Sequence, residues 1–402
     1  MVVSRRKGVL FHALFFMLMF LSVELLSAGS LFFLKKIRNI DYQPAFPISQ
    51  QHKQILRKLL EGSSTYYKFD PTLGWTIRPN SESKNHLYRS NAEGFRADRD
   101  YSTAPPPGRI RIAAFGDSFT HCDDVSNPET WESQLELIDQ RLEVLNFGVG
   151  GYGLDQAFLR YKKKGAGFHP RIVLIGFMSE NINRMVTTFK PFYFKKTSIP
   201  LAKPRFVLQA DQLTLLRNPI STQHDLTRLL CDDQELFEKL KANDYYARSG
   251  YARTAGDFLA IVRLMTLFPS IVWNRAQKDE ILNNGIYNTS SEAYRVTTRL
   301  MDEFYRLAES NASMPIIVLF PSKFDLEGLA KGKVSYGPLI EHLNRKGYRY
   351  IDLWIPLRAI VDNKEEIKKW TLAHYSSEAN KLIARYIYSF LKNGHLLEKP
   401  GK

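Results

Sequence analysis

Residues 110–120 read Ile-Arg-Ile-Ala-Ala-Phe-Gly-Asp-Ser-Phe-Thr, a short and mostly apolar run that stops at Gly116 and hands over to a serine-bearing turn. Four similar runs follow, at 143–147 (Glu-Val-Leu-Asn-Phe), 172–177 (Ile-Val-Leu-Ile-Gly-Phe), 315–320 (Pro-Ile-Ile-Val-Leu-Phe) and 348–351 (Tyr-Arg-Tyr-Ile). Nearly continuous apolar strands are what a parallel sheet covered on both faces requires. Helical patterns over 128–140, 291–310, 335–345 and 376–392 supply the covering layers. The fold class is therefore α/β, a three-layer α/β/α sandwich with five parallel strands.

Upstream of the first strand, Pro105-Pro106-Pro107-Gly108 is a stiff linker. Residues 66–105 read as short extended pieces around Tyr67, Phe69, Trp75, Ile77, Tyr88 and Phe95, broken at Asp70-Pro71, Leu73-Gly74 and Pro79-Asn80. A polar, partly helical stretch precedes them, ending at Leu60. Residues 186–285 break the strand–helix rhythm and read as an insertion between the third and fourth strands. A hairpin is expected over 203–216, then a helical stretch over 223–243 and an apolar helix near 256–267. The aromatics Phe192, Tyr193, Phe194, Tyr245 and Tyr246 in this block are candidates for stacking on sugars.

The chain begins with an apolar run over residues 9–34, long enough for a spanning helix. Glu24 near its middle costs roughly 2.5–3.5 kcal/mol on insertion scales, which the Leu and Phe residues around it outweigh. Arg5, Arg6 and Lys7 ahead of the run predict a cytoplasmic start with the remainder exported, although Lys35, Lys36 and Arg38 beyond it weaken the asymmetry. A cleaved signal peptide is the competing reading, with Ser27, Ala28, Gly29 and Ser30 as small residues. Leu26 at the position three before cleavage, and Leu-Phe-Phe-Leu continuing afterwards, favour a retained anchor. The expected organisation is thus an anchor over 1–38, a linker and β-rich lead-in over 39–108, the α/β domain over 109–392 and a tail over 393–402.

With 44% apolar and 24% charged residues, the 402-residue chain is globular rather than disordered or fibrous. Its net charge of +15 includes six basic residues against Glu24 within 1–38; the remainder is spread along the chain. A spread basic excess favours anionic partners in general, but no nucleic-acid-binding module accompanies it, so nucleic acid is not expected as a partner. Two cysteines, Cys122 and Cys231, cannot form a disulfide scaffold, though one bridge between them stays open.

Four segments carry candidate chemistry. Gly116-Asp117-Ser118-Phe119-Thr120 places a serine hydroxyl where a strand gives way to a helix, at the carboxyl edge of the sheet where α/β proteins bind ligands. Asn146-Phe147-Gly148-Val149-Gly150-Gly151-Tyr152-Gly153 ends the second strand, and its glycines let backbone N–H groups approach a substrate. It lacks both dinucleotide and Walker spacing, so no nucleotide cofactor is expected. Gly176-Phe177-Met178-Ser179-Glu180-Asn181 ends the third strand, and His374 lies in Thr371-Leu372-Ala373-His374-Tyr375 before the last helix. His121-Cys122-Asp123-Asp124 reads as a loop lining the cleft rather than a metal site, since four adjacent residues point in differing directions. Trp131 on the following helix reads as core.

On these four blocks, residues 109–392 resemble the SGNH/GDSL hydrolases, serine esterases and acetyltransferase-like enzymes built on a flavodoxin-like sheet. The resemblance implies Ser118 as nucleophile, His374 as base and Gly151 as an oxyanion donor. The 66–105 segment also resembles the β-rich lead-in joined to such domains in bacterial membrane-anchored members. Two departures stand out. The family's oxyanion asparagine aligns without gaps to Glu180, which cannot donate when ionised, so a one-residue shift to Asn181 is expected. The family's acid, three residues before the histidine, is Thr371 here. Three explanations stay open: His374 is oriented by a backbone carbonyl or by Thr371; an acid from elsewhere, such as Asp123, Asp124 or Asp362, substitutes; or the site is slow or inactive.

The expectation is an exported, membrane-anchored esterase or O-acyltransferase acting on an acylated cell-envelope or secreted polysaccharide, or on a small ester, through Ser118, His374, Gly151 and Asn181. The alternative is a non-catalytic carbohydrate-binding or scaffold protein on a degenerate version of the same fold.

Overall fold

A computed structural model describes residues 2–38, 42, 48–64, 66–248, 256–328, 334–359, 364–371 and 373–398. At its centre lie five parallel strands, in sheet order Leu142–Asn146, Ile110–Phe115, Ile172–Met178, Met314–Phe320, Tyr350–Asp352. Eleven strands occur among the described residues. In chain order they are β1 (Tyr67–Asp70), β2 (Gly74–Ile77), β3 (Ile110–Phe115), β4 (Leu142–Asn146), β5 (Ile172–Met178), β6 (Arg205–Gln209), β7 (Gln212–Leu216), β8 (Leu282–Asn283), β9 (Ile286–Tyr287), β10 (Met314–Phe320) and β11 (Tyr350–Asp352). The order β4-β3-β5-β10-β11 is the flavodoxin-like 2-1-3-4-5 order, as the resemblance implies.

Strand alternation sorts the apolar runs into two cores. Ala113, Phe115, Leu145, Val173, Ile175, Phe177, Ile317 and Leu319 face one side, under the helices Leu154–Lys163, Glu292–Ser310 and Gly337–Lys346. Ile112, Ala114, Val144, Leu174, Ile316, Val318 and Phe320 face the other, under Trp131–Ile138 and Ser377–Asn393. Trp131 is core, as expected. Arg111, buried within β3, is satisfied by Glu143 at 2.6 Å and by the carbonyls of Thr103 and Phe168.

Several helices differ from expectation. The span 128–140 opens as a 3₁₀ turn and becomes helical only from Trp131 to Ile138. The span 223–243 breaks into Gln223–Leu230 and Gln234–Lys241, because Asp232 adopts a φ of 55° and Asp233 caps the second helix. The apolar helix near 256–267 instead runs Ala260–Ile281. The sequence reading passes over the helix Leu154–Lys163, although Leu154, Ala157, Phe158 and Tyr161 have helical spacing and are buried.

The lead-in is not a free-standing appendage. Trp75 and Tyr66 share a third core with Val149 and Tyr152 of the glycine loop and with Phe189, Phe192, Leu226 and Phe237 of the insertion. Trp75 Nε1 donates to the Gly150 carbonyl at 3.0 Å, and the Tyr152 hydroxyl donates to the Trp75 carbonyl at 2.6 Å. Lead-in and insertion thus meet over the carboxyl edge of the sheet. At the other end of the chain, Leu397 packs into the domain core rather than trailing off. The N-terminal helix Val2–Arg38 is, among the described residues, the one helix long and apolar enough to cross a membrane, over Gly8–Ile37.

Candidate active site

β3 delivers Ser118 to the carboxyl edge of the sheet. The Asp117 side chain caps the short helix Ser118–His121 by accepting from the Phe119 N–H at 2.9 Å. Ser118 is nearly buried, and its hydroxyl has no hydrogen-bond partner among the described residues. The glycine loop after β4 lies directly on this turn: a side chain at Gly148 would meet the His121 nitrogen at 2.4 Å. Asn146 fixes the approach, donating to the Thr120 carbonyl at 2.9 Å while accepting from the Gly148 N–H at 2.9 Å.

His374 reaches the same place from the far end of the chain. Its ring lies edge-on to Phe119, the neighbour of Ser118, with centroids 5.1 Å apart, and Tyr375 packs on the same ring at 4.9 Å. The Tyr375 hydroxyl donates to the Pro321 carbonyl at 2.8 Å and ties this loop to the end of β10. The acid comes from the nucleophile's own loop. Asp124 Oδ1 stands 3.2 Å from His374 Nδ1, and Oδ2 accepts from the backbone N–H groups of His374 at 2.7 Å and Ala373 at 3.2 Å. Nδ1 sits off the in-line direction, so the carboxylate acts on the ring through its charge and not through a formed hydrogen bond. Burial works against a charged imidazole, but the Asp124 side chain, with Asp123 and Asp117 behind it, outweighs burial and holds the His374 pKa above its ordinary value. Contact with His374 in turn holds Asp124 below the usual carboxylate range.

Of the groups that could orient His374, Asp124 is the one in place. The Thr371 hydroxyl donates instead to the Ile367 carbonyl of its own helix at 2.7 Å, so Thr371 does not orient the imidazole. Asp362 lies outside the described residues. Asp123 pairs with a different histidine: His121 Nδ1 lies 2.5 Å from Asp123 Oδ1, and its Nε2 lies 2.7 Å from the Tyr66 hydroxyl. Burial pushes His121 below its ordinary pKa, while His121 and His374 overcome burial to hold Asp123 below the usual carboxylate range.

After β5, Glu180 is exposed and accepts from the Tyr193 hydroxyl, whereas Asn181 is buried. The Asn181 amide donates to Asp117 Oδ2 at 2.9 Å, which leaves its second N–H for a ligand. Gly151 has a φ of 78°, where a glycine is favoured, and lies at the mouth of the glycine loop. Of the insertion aromatics, Phe192 and Tyr245 are core, while the rings of Tyr193 and Tyr246 lie 5.1 Å apart, tilted by 45°, beside the turn that holds Asn181. Cys122 is buried, with its thiol pushed far above the ordinary range by burial, and Cys231 is exposed; both are free thiols.

Two residues escape the sequence reading. Arg96 of the lead-in donates to the carbonyls of His121, Cys122 and Val125, and to Asn127 Oδ1 at 2.8 Å, gripping the loop that carries Asp124. Lys190 places its Nζ against Gly151, where a Cβ would collide with it, and over the Trp75 ring at 5.4 Å. Burial, helped by Arg184 and opposed by Asp123 and Asp117, pushes its pKa down to about 7. Among the described residues, no three His, Cys, Asp or Glu side chains gather as a metal site would need.

The sheet order is the flavodoxin-like one that the resemblance to the SGNH/GDSL hydrolases implies. No family model and no curated protein matches the chain. Solved structures similar to it include a member of the lipolytic protein G-D-S-L family from Veillonella parvula, at 12% identity over 70% of this chain and 98% of that one, with a TM-score of 0.33. A psychrotrophic esterase from Pseudoalteromonas matches at 10% identity over 71% and 99%, with a TM-score of 0.34. An α/β hydrolase from a lake metagenome matches at 11% identity over 72% and 97%, with a TM-score of 0.37.

Proposed function

We propose that the protein is a serine-dependent acyl-transfer enzyme, an esterase or O-acyltransferase in which Ser118 is the nucleophile, His374 the base and Asp124 the acid. The observation that carries this reading is the Asp124 carboxylate 3.2 Å from His374 Nδ1, on a ring that packs against Phe119, the residue next to Ser118. The Asp124 carboxylate beside Nδ1 favours the tautomer that carries its proton on that nitrogen, which leaves Nε2 to accept one. His374 then takes the Ser118 proton as Oγ attacks an ester carbonyl, and the C–O bond to the leaving alcohol breaks as His374 returns that proton. The developing oxyanion is held by backbone N–H groups of Ser118 and Gly151 and by the free N–H of the Asn181 amide. Water, or a sugar hydroxyl, repeats the sequence to release the acyl group.

The departures at Thr371 and Glu180, which gave weight to a non-catalytic reading, are met by Asp124 and Asn181, and this supports the catalytic one. The substrate assigned is an O-acylated cell-envelope or secreted polysaccharide. An N-terminal helix long and apolar enough to cross a membrane supports that choice, as does the tyrosine pair beside the site. The test is acetate release from p-nitrophenyl acetate and from an O-acetylated polysaccharide, wild type against Ser118→Ala. Release by wild type alone is expected. Equal rates in the two proteins would remove the catalytic assignment, and release from the small ester but not the polymer would remove the glycan.

A further inference from the structure

Glu24 lies in the middle of an apolar helix, yet its carboxylate is occupied. Oε2 accepts from the Ala260 N–H at 2.7 Å and Oε1 from the Ile261 N–H at 3.1 Å, the first backbone donors of the helix Ala260–Ile281. Those donors have no partner within their own helix, and a carboxylate suits the positive end of the helix dipole.

This contact sets a depth. The apolar stretch Gly8–Ile37 has 30 residues, whereas a hydrocarbon layer about 30 Å thick takes about 20 residues of helix. A 20-residue window at either limit, 8–27 or 18–37, contains Glu24, and so does every window between. If the N-terminal helix spans, Glu24 is within the hydrocarbon, and the start of the second helix is there with it.

The surface of that second helix agrees. Residues 258–268 read Phe-Leu-Ala-Ile-Val-Arg-Leu-Met-Thr-Leu-Phe, with Arg263 as the one charge. Phe258, Met265 and Phe268 are 75%, 68% and 64% exposed, facing away from the protein alongside the bare surface of the N-terminal helix. Arg263 donates back to the Asp257 carbonyl, and Tyr42 donates to Asp257 Oδ1 at 2.6 Å, so the polar groups that flank this surface bond to one another.

We propose that the first turns of the Ala260–Ile281 helix are a second membrane-inserted element, capped by Glu24 and contacting lipid acyl chains through Phe258, Met265 and Phe268. The insertion thereby fixes the domain's orientation on the bilayer, which a single anchor helix leaves free. The inference rests on the N-terminal helix spanning the membrane, and not on the enzymatic reading. Two unfavourable groups offset each other in this arrangement: a carboxylate in lipid and a set of unpaired helix N–H groups in lipid.

The test uses the full chain carrying Cys231→Ser, reconstituted in phosphatidylcholine–phosphatidylglycerol vesicles, with single nitroxide labels on Phe16→Cys, Met265→Cys, Phe268→Cys and, on the domain, Leu137→Cys. Labels at 16, 265 and 268 are expected to be about tenfold less accessible to a nickel chelate than the label at 137, because hydrocarbon excludes ions. A lipid-exposed label at 16 with water-exposed labels at 265 and 268 overturns the proposal and leaves the anchor standing. Water exposure at all four sites removes the anchor and the proposal together. Glu24→Ala strips both acceptors and should raise nickel access at 265 toward that at 137, while Glu24→Gln, which keeps one acceptor oxygen, should raise it less. Unchanged access in Glu24→Ala would overturn the capping role.

Discussion

Replacing Asp124 with Asn removes one charge and little else. The Asn side-chain oxygen can still accept from the His374 and Ala373 N–H groups, so the loop keeps its anchor. What is lost is the attraction between a carboxylate and an imidazolium at 3.2 Å. Such a pair is worth roughly 1.3 kcal/mol in bulk water and roughly 5 kcal/mol at an effective dielectric of 20. The Asp124 side chain is 27% exposed and that of His374 18%, which places the pair between these limits. At one decade per about 1.4 kcal/mol, kcat should fall between about tenfold and about 4,000-fold. The pH profile should move as well. The His374 pKa is held above its ordinary value by Asp124, and the base must be neutral to act. Wild-type activity therefore appears only above that raised pKa, and in Asp124→Asn the acid limb should shift to lower pH while the plateau drops. Initial rates of p-nitrophenyl acetate hydrolysis across pH 5–9 read both effects (roughly the range in which a histidine titrates). A variant with the wild-type plateau and an unmoved acid limb would refute the assignment of Asp124 as the acid.

Three further outcomes are expected. Asn181→Ala should lower kcat by about 10²-fold or more, the usual effect of losing one oxyanion donor, while the exposed Glu180→Ala stays near wild type; the opposite order would reassign the donor. Thr371→Val loses a bond to the Ile367 carbonyl and should cost about 1 kcal/mol in denaturant melts, with no shift of the acid limb; a shift would show that Thr371 orients the imidazole. Lys190, pushed down to about 7 from 10.5, has released its proton over a range in which the unfolded chain still holds one. Its contribution to stability therefore rises with pH between those values, and Lys190→Met should flatten that part of the stability profile; an unchanged slope would contradict the burial of its ammonium.

Much of the fold is legible because the strands are buried on both faces and so announce themselves as apolar runs. Ser118, Gly151, Asn181 and His374 stand out as candidates because each sits at a strand end or a helix start, where local chemistry is conspicuous. Asp124 could be named only as one of several carboxylates. Its partner lies 250 residues away, and whether it or Asp123 turns toward His374 depends on the left-handed Cys122 and on the grip of Arg96. Lys190 left no local signal, because its position against Gly151 follows from how the insertion and lead-in pack around Trp75. The break at Asp232 was hidden for a related reason: the apolar spacing on either side continues while the backbone does not.

The catalytic assignment is tested most directly by a fluorophosphonate probe with intact-mass analysis and peptide mapping. One adduct on Ser118 is expected in the wild-type protein, none in Ser118→Ala, and slower formation in His374→Ala, since the probe reports an activated hydroxyl. Absence of any adduct on the folded wild-type protein, or an adduct that survives Ser118→Ala, would contradict the account.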